Sequence, residues 1–141
     1  MMLLIDRFPR EELLMTPLAA IPTPALLIDA ARCQHNLQTV LAKAQQLGVQ
    51  LRPHFKTHKC WEIALQQMTS PEGPVTVSTL LEAKFLAEKG VKDILYAVSI
   101  APQKLTVVDE IRALGVDLKI IVDSVETVSY THLTLPTTER V

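Results

Sequence analysis

Glycine is scarce in this chain, with 4 residues in 141, and none of them is spaced as G-x-G-x-x-G. A nucleotide-binding Rossmann unit needs that spacing to bring backbone against a pyrophosphate, so this architecture loses its main signal. Cysteine is scarcer still. Cys33 and Cys60 stand alone with no C-x-x-C spacing. Disulfide and zinc-finger readings therefore have no support, and a reducing cytosol is the expected compartment. Neither sign of charge is in excess: 14 Lys and Arg face 15 Asp and Glu, for a net charge of −1. That balance gives no reason to expect nucleic acid or an anionic membrane as a partner. No apolar run reaches the roughly eighteen residues that a spanning helix needs. The opening "MMLLIDRFPREELLM" is broken by Asp6, Arg7, Arg10, Glu11 and Glu12 and lacks the pattern of a signal peptide. Aromatics make up 4% against 48% apolar residues, so the core has to be aliphatic.

What the chain does contain is a rhythm. After a proline- and leucine-rich lead-in over 1–21, "TPALLID" (23–29) reads as a short strand, with Asp29 placed to cap a helix. Cys33, Leu37, Val40, Leu41, Ala44 and Leu47 recur at helical spacing up to Gly48. "VQLRPHFK" then predicts a strand, "CWEIALQQM" a helix, "PVTVST" a strand and "LLEAKFLAEKG" a helix ending in glycine. "DILYAVS", "APQKLTVVDEIRALG" and "DLKIIVDS" continue as strand, helix and strand. Helical connections leave no tight hairpins, so successive strands must run parallel. An open doubly wound sheet and a (β/α)8 barrel both fit. The barrel expects polar residues at the C-terminal ends of its strands. Those ends carry Lys56, Ser78 with Thr79, Ser99, and Asp123 with Ser124, which favours the barrel.

A barrel takes about 250 residues. Four strands from residue 49 onward make a partial barrel of four βα units or fewer. Asp123 and Glu126 resemble a helix start, yet "VSYTHLTLPTTERV" has clustered threonines, a proline and no helical period. This ending is similar to translated adaptor sequence. Residues 129–141 are therefore read as a non-native tail, with no function assigned to Tyr130 or His132, and 22–128 as the partial barrel domain.

The densest chemistry lies in "LRPHFKTHKCWE" (51–62), with Arg52, His54, Lys56, His58 and Lys59. In an extended segment Arg52, His54 and Lys56 share one face, while Leu51, Pro53 and Phe55 share the other. Leu51 and Phe55 suit a helix layer, so the basic triplet would line the interior with Lys56 at the rim. Pro53 strains this picture by removing a ladder donor. A free lysine has a reference pKa of about 10.4, so at pH 7 roughly one in two thousand is neutral. Desolvation at a barrel mouth and positive charge from Arg52 and Lys59 would lower it, which suits a Schiff-base lysine. The alternative is a solvated basic patch that binds phosphate or pairs with acids such as Glu62, and composition by itself favours that. His54 and His58 fit hydrogen-bonded structural roles, and a metal site made of those two alone has little support.

"RPHFKTHK" (52–59) resembles the signature R-P-H-x-K-[TA]-H-K of the D-threonine aldolase and D-serine dehydratase family, whose barrel is similar to the N-terminal domain of alanine racemase. "PTPALLID" (22–29), "HNL" (35–37) and "VTVSTLLEAKFLAEKGVKDIL" (75–95) resemble further stretches of the same family in order. The resemblance runs from about residue 22 to 126. It implies a fold type III enzyme in which Lys56 holds pyridoxal 5′-phosphate as a Schiff base. His54 would lie near the cofactor, with Ser78, Thr79 and Ser99 at the strand ends around it. Helix capping is the competing role for those three hydroxyls, and Lys59 reads as a solvated residue in the first turn of the next helix. His35 and Asn36 read as surface or helix-packing positions.

The implied reaction is that of a lyase on a small D-β-hydroxy amino acid, with aldol cleavage to glycine and an aldehyde placed ahead of dehydration. An amino-acid racemase on the same barrel is the near alternative. A non-catalytic carrier of pyridoxal phosphate and a simple phosphate-binding module are the others. The resemblance also implies a divalent metal held by a C-terminal domain outside this chain, a homodimer for the full-length protein, and no complete turnover by this part alone.

Overall fold

Val75, Val77, Ile94, Tyr96 and Leu118 fall at alternate positions of three apolar runs, and all five are buried. In the computed structural model, which describes residues 17–134, they form one face of a parallel sheet. Strand β1 is Val75–Val77, β2 is Asp93–Ser99 and β3 is Asp117–Ile121, in the order β1-β2-β3. The register sets Val75 beside Ile94 and Ile94 beside Leu118, so one apolar row crosses the sheet. Between the strands run α3 (Leu80–Glu88) and α4 (Leu105–Ala113), preceded by α1 (Ala30–Leu47) and α2 (Trp61–Gln67) and followed by α5 (Val125–Thr134). Ala83, Leu86 and Ala87 of α3, with Leu105, Val108 and Ile111 of α4, complete the core against that row. Fully burying a side chain such as Leu86 or Ile111 contributes about 1.5–3 kcal/mol. The α/β class and the parallel sheet match the expectation from sequence.

The chain divides into two units, the first ending at Asn36 and the second beginning at Leu37. In the first, Asp29 Oδ1 accepts the Arg32 N–H at 2.9 Å, the cap predicted for α1. The expected strand at 23–29 is absent. Among the described residues this segment makes no ladder, and Leu26, Leu27 and Ile28 are exposed. An apolar run becomes a strand only where a neighbour answers its N–H and C=O groups.

In the second unit the expected strand at 49–56 shrinks to a single parallel bridge, His54 to Thr76. Pro53 explains the loss, since its nitrogen has no proton to give. Its carbonyl still accepts the Thr76 N–H at 2.7 Å. Phe55–Thr57 then closes as a 3₁₀ turn. Three strands and the His54 bridge thus stand where four strands were expected. The absent helix after Ser124 is also corrected: α5 runs on to Thr134, because the Ser124 hydroxyl caps the Thr127 N–H at 3.1 Å. Once nucleated, a helix extends through residues of indifferent propensity. Residues 135–141 of the expected tail lie outside the described residues, as do 1–16 of the lead-in.

Candidate active site

A parallel sheet gathers the C-terminal ends of its strands on one edge. Lys56 follows the His54 bridge there, Ser78 and Thr79 follow β1, Ser99 ends β2, and Asp123 with Ser124 follow β3. His54 lies level with Thr76, Leu95 and Lys119 across the face opposite the helices.

The motif 52–60 is held by its own histidines. His54 Nδ1 accepts the Lys56 N–H at 3.3 Å, and His58 Nδ1 accepts the Cys60 N–H at 3.1 Å. With Nδ1 accepting, the His58 Nε2–H donates to Gln67 Oε1 at 2.9 Å. Both rings therefore serve as neutral acceptors for a backbone N–H two residues on. Burial first, and the Lys56 ammonium second, push the His54 imidazole below its usual range, against an opposing pull from Glu82. Burial pushes the Cys60 thiol up, which leaves it a poor nucleophile.

Arg52 donates from both guanidinium nitrogens to Asp93, at 2.7 and 2.8 Å, and Lys119 reaches the same carboxylate at 2.8 Å. Lys59 Nζ stands 3.3 Å from Glu82 Oε1. Glu82 is buried, and its other oxygen accepts the Ser78 N–H at 2.9 Å and the Ser78 hydroxyl at 3.2 Å. Oε1 itself has no well-aligned donor among the described residues, so Lys59 holds it by charge rather than by a directed hydrogen bond. Burial would raise the Glu82 carboxyl, but the Ser78 N–H, Lys59 and the Ser78 hydroxyl outweigh it and hold the group low. Thr79 Oγ1 caps the Glu82 N–H at 3.1 Å.

The environment expected for Lys56 is therefore corrected. Its side chain is exposed, and the positive charges of Arg52 and Lys59 face Asp93 and Glu82 instead of it. Lys59 is not in a helix turn: it precedes α2 with φ at +48°. A side chain in that region costs roughly 1–2 kcal/mol. Glu62, an acid the alternative patch reading offered as a partner, accepts from Cys60 Sγ at 3.3 Å. This pairing leaves one amine over. Among the described residues, Lys56 Nζ makes no hydrogen bond or ion pair, while every other basic side chain of the motif has a partner.

Comparison with known proteins identifies relatives of the chain. No family model matches the chain. It is 44% identical over 108 residues to D-threo-3-hydroxyaspartate dehydratase of Delftia sp., covering 77% of this chain and 28% of that enzyme. It is 40% identical over 78 residues to D-threonine aldolase of Arthrobacter sp., covering 55% of this chain and 21% of the enzyme. Over 88 residues it is 41% identical to D-serine dehydratase of Dictyostelium discoideum, covering 59% and 22%. An alanine-racemase-like protein of Idiomarina loihiensis superposes with a TM-score of 0.77 at 40% identity, over 81% of this chain and 31% of that one. The chain is homologous to the D-threonine aldolases and D-serine dehydratases.

It spans between 21% and 28% of the length of these three curated relatives. Against that relationship to aldolases and dehydratases, the motif residues sort clearly. Lys56, Ser78, Thr79 and Ser99 share the strand-end edge, with Thr79 and Ser99 exposed. The Ser78 hydroxyl is engaged by Glu82, whereas the Thr79 hydroxyl accepts a cap and keeps its own proton to donate. Asp93 and Glu82 escaped the sequence reading. Glu82 had a signal, the S/T-x-x-E spacing from Thr79 that marks a capping box. Asp93 had none, because its partner Arg52 is 41 residues away.

Proposed function

We propose that this chain contributes the cofactor lysine of a pyridoxal-phosphate-dependent lyase acting on a D-β-hydroxy amino acid. The single observation that carries the reading is the Lys56 amine at the strand-end edge, unpartnered among the described residues, in a chain whose homologues are dehydratases and an aldolase. The residues suit the group: a free amine to hold an aldehyde, a neutral imidazole at His54 with Nε2 protonated, and an exposed Thr79 hydroxyl. When bound, the cofactor supplies an electron sink for a bond breaking at Cα. Lys56 Nζ would be the group placed to take a proton from Cα in a dehydration or from the β-hydroxyl in an aldol cleavage. His54 would stay neutral beside it as a hydrogen-bond donor, because burial first and the Lys56 charge second disfavour the imidazolium.

Identity over 108 residues to a dehydratase, against 78 to an aldolase, supports dehydration first and aldol cleavage second. A variant of D-threo-3-hydroxyaspartate dehydratase has been solved in a metal-free form. Any divalent metal of this protein is assigned outside the described residues, as the resemblance of the motif implies. A homodimer in the cytosol completes the proposal. Among the described residues no helix is long and apolar enough to cross a membrane.

The test is chemical. One equivalent of pyridoxal 5′-phosphate is added to the chain, fixed with borohydride and mapped by peptide mass. Label is expected on Lys56 and lost from that peptide in Lys56→Ala. Label spread evenly over exposed lysines such as Lys43, Lys84 and Lys89 would overturn the reading.

A further inference from the structure

Lys59 is the one non-glycine residue at positive φ among the described residues, and it closes the turn that carries Lys56. Its N–H donates at 2.9 Å to the Phe55 carbonyl, which also accepts the His58 N–H, and together they close a left-handed cap around Phe55–Thr57. Glycine or asparagine usually fills that position, so a lysine there has to be held by something else. Glu82 is placed to hold it. That residue is only 6% exposed, its Oε2 is fixed by the Ser78 N–H and hydroxyl, and its Oε1 lies 3.3 Å from Lys59 Nζ with no other partner among the described residues. Glu82 is in turn anchored through its own N–H by Thr79, the N-cap of α3.

We infer that Glu82 is a positioning residue: through Lys59 it locks the left-handed turn after residue 58 and so fixes the Lys56 segment against the strand-end edge. Pro53 makes such a clamp necessary. With its nitrogen unable to donate, the segment's backbone meets β1 at the one His54 bridge, through the Pro53 carbonyl, and the Arg52 guanidinium adds a side-chain contact to the Val75 carbonyl at 3.5 Å. The capping box of α3 thereby does two jobs, starting a helix and holding a neighbouring turn that sequence distance separates by more than 20 residues. This inference rests on the reading of Lys56 as the cofactor lysine only for its second readout.

Three variants of the chain separate the possibilities: Glu82→Gln, Lys59→Ala and Lys59→Gly. The glutamine side chain of E82Q would keep the shape and the Ser78 contacts but turn an amide toward the ammonium. Alanine at 59 would keep the backbone strain without the ion pair, while glycine would remove both strain and pair. The first readout is amide hydrogen exchange over 55–60, with β1 and β2 as internal controls. E82Q and K59A are expected to speed exchange about tenfold there, with the strands unchanged and K59G close to the parent. The second readout is the share of borohydride-fixed pyridoxal phosphate found on Lys56, which should fall in E82Q and K59A.

Unchanged exchange in E82Q, or equal exchange in K59A and K59G, would overturn the clamp. Should E82Q fail to fold, the two substitutions at the exposed Lys59 side chain still decide it. Absence of Lys56 preference in the parent chain would instead sink the cofactor reading, with the exchange data still judging the clamp.

Discussion

Asp93→Asn tests whether the motif is held from below as well as from above. In the structure Asp93 accepts two hydrogen bonds from Arg52 and one from Lys119, with the Arg52 and Asp93 side chains 28% and 37% exposed. Two charges 4 Å apart near a protein surface attract by about 4 kcal/mol before desolvation and ordering are subtracted. Exposed pairs retain about 0.2–1 kcal/mol and charge-assisted bonds about 1.5–3 kcal/mol. Partial exposure and the acceptor that Asn keeps place the loss at about 1–2 kcal/mol, or a Tm lower by roughly 3–7 °C.

The pH dependence follows from the same contacts. Hydrogen bonding from Arg52 first, and from Lys119, holds the Asp93 carboxyl below its usual range against the opposing effect of burial. A depressed carboxyl stabilises the fold above its unfolded value of about 3.9, and that stabilisation is lost as pH falls through the folded value. The gap between parent and D93N, read by thermal or urea denaturation, should be full at neutral pH and close below about pH 4. It should also narrow in about 1 M salt, where the screening length is about 3 Å. A D93N chain as stable as the parent at neutral pH would refute the reasoning, as would a gap that persists undiminished in acid.

Two glycines make a paired prediction. Gly73→Ala should destabilise strongly, because φ is +118° and the new Cβ would lie 2.8 Å from the Asp93 carbonyl oxygen, whereas Gly48→Ala, at φ +65° with open space, should lose only about 1 kcal/mol in urea unfolding. Leu86→Ala removes a fully buried side chain between α3 and the sheet and should lower the unfolding free energy by about 2–5 kcal/mol.

Much of the fold could be read before any coordinates. The β-branched runs at 75–77 and 117–121, the helical spacing on α1, α3 and α4, and glycines at 48, 90 and 115 all lie where local rules put them. Those rules fail at 23–29 and 49–56 for one shared reason: a strand is a property of two segments, and neither run's own residues say whether a partner will answer. Pro53 gave a warning at the second site, and the structure turned that warning into a single bridge.

What the sequence by itself determined is the motif, the parallel alternation and the relationship to D-amino-acid lyases, since short-range patterning and residue identity carry all three. Tertiary structure alone decided the electrostatics. Arg52 and Lys59, expected to crowd Lys56 with bare positive charge, are matched to Asp93 and Glu82 from strands and helices 41 and 23 positions away. Coulombic interactions act through space and fall off within a few ångströms of solvent, so only the folded arrangement fixes which basic group is left without an acid.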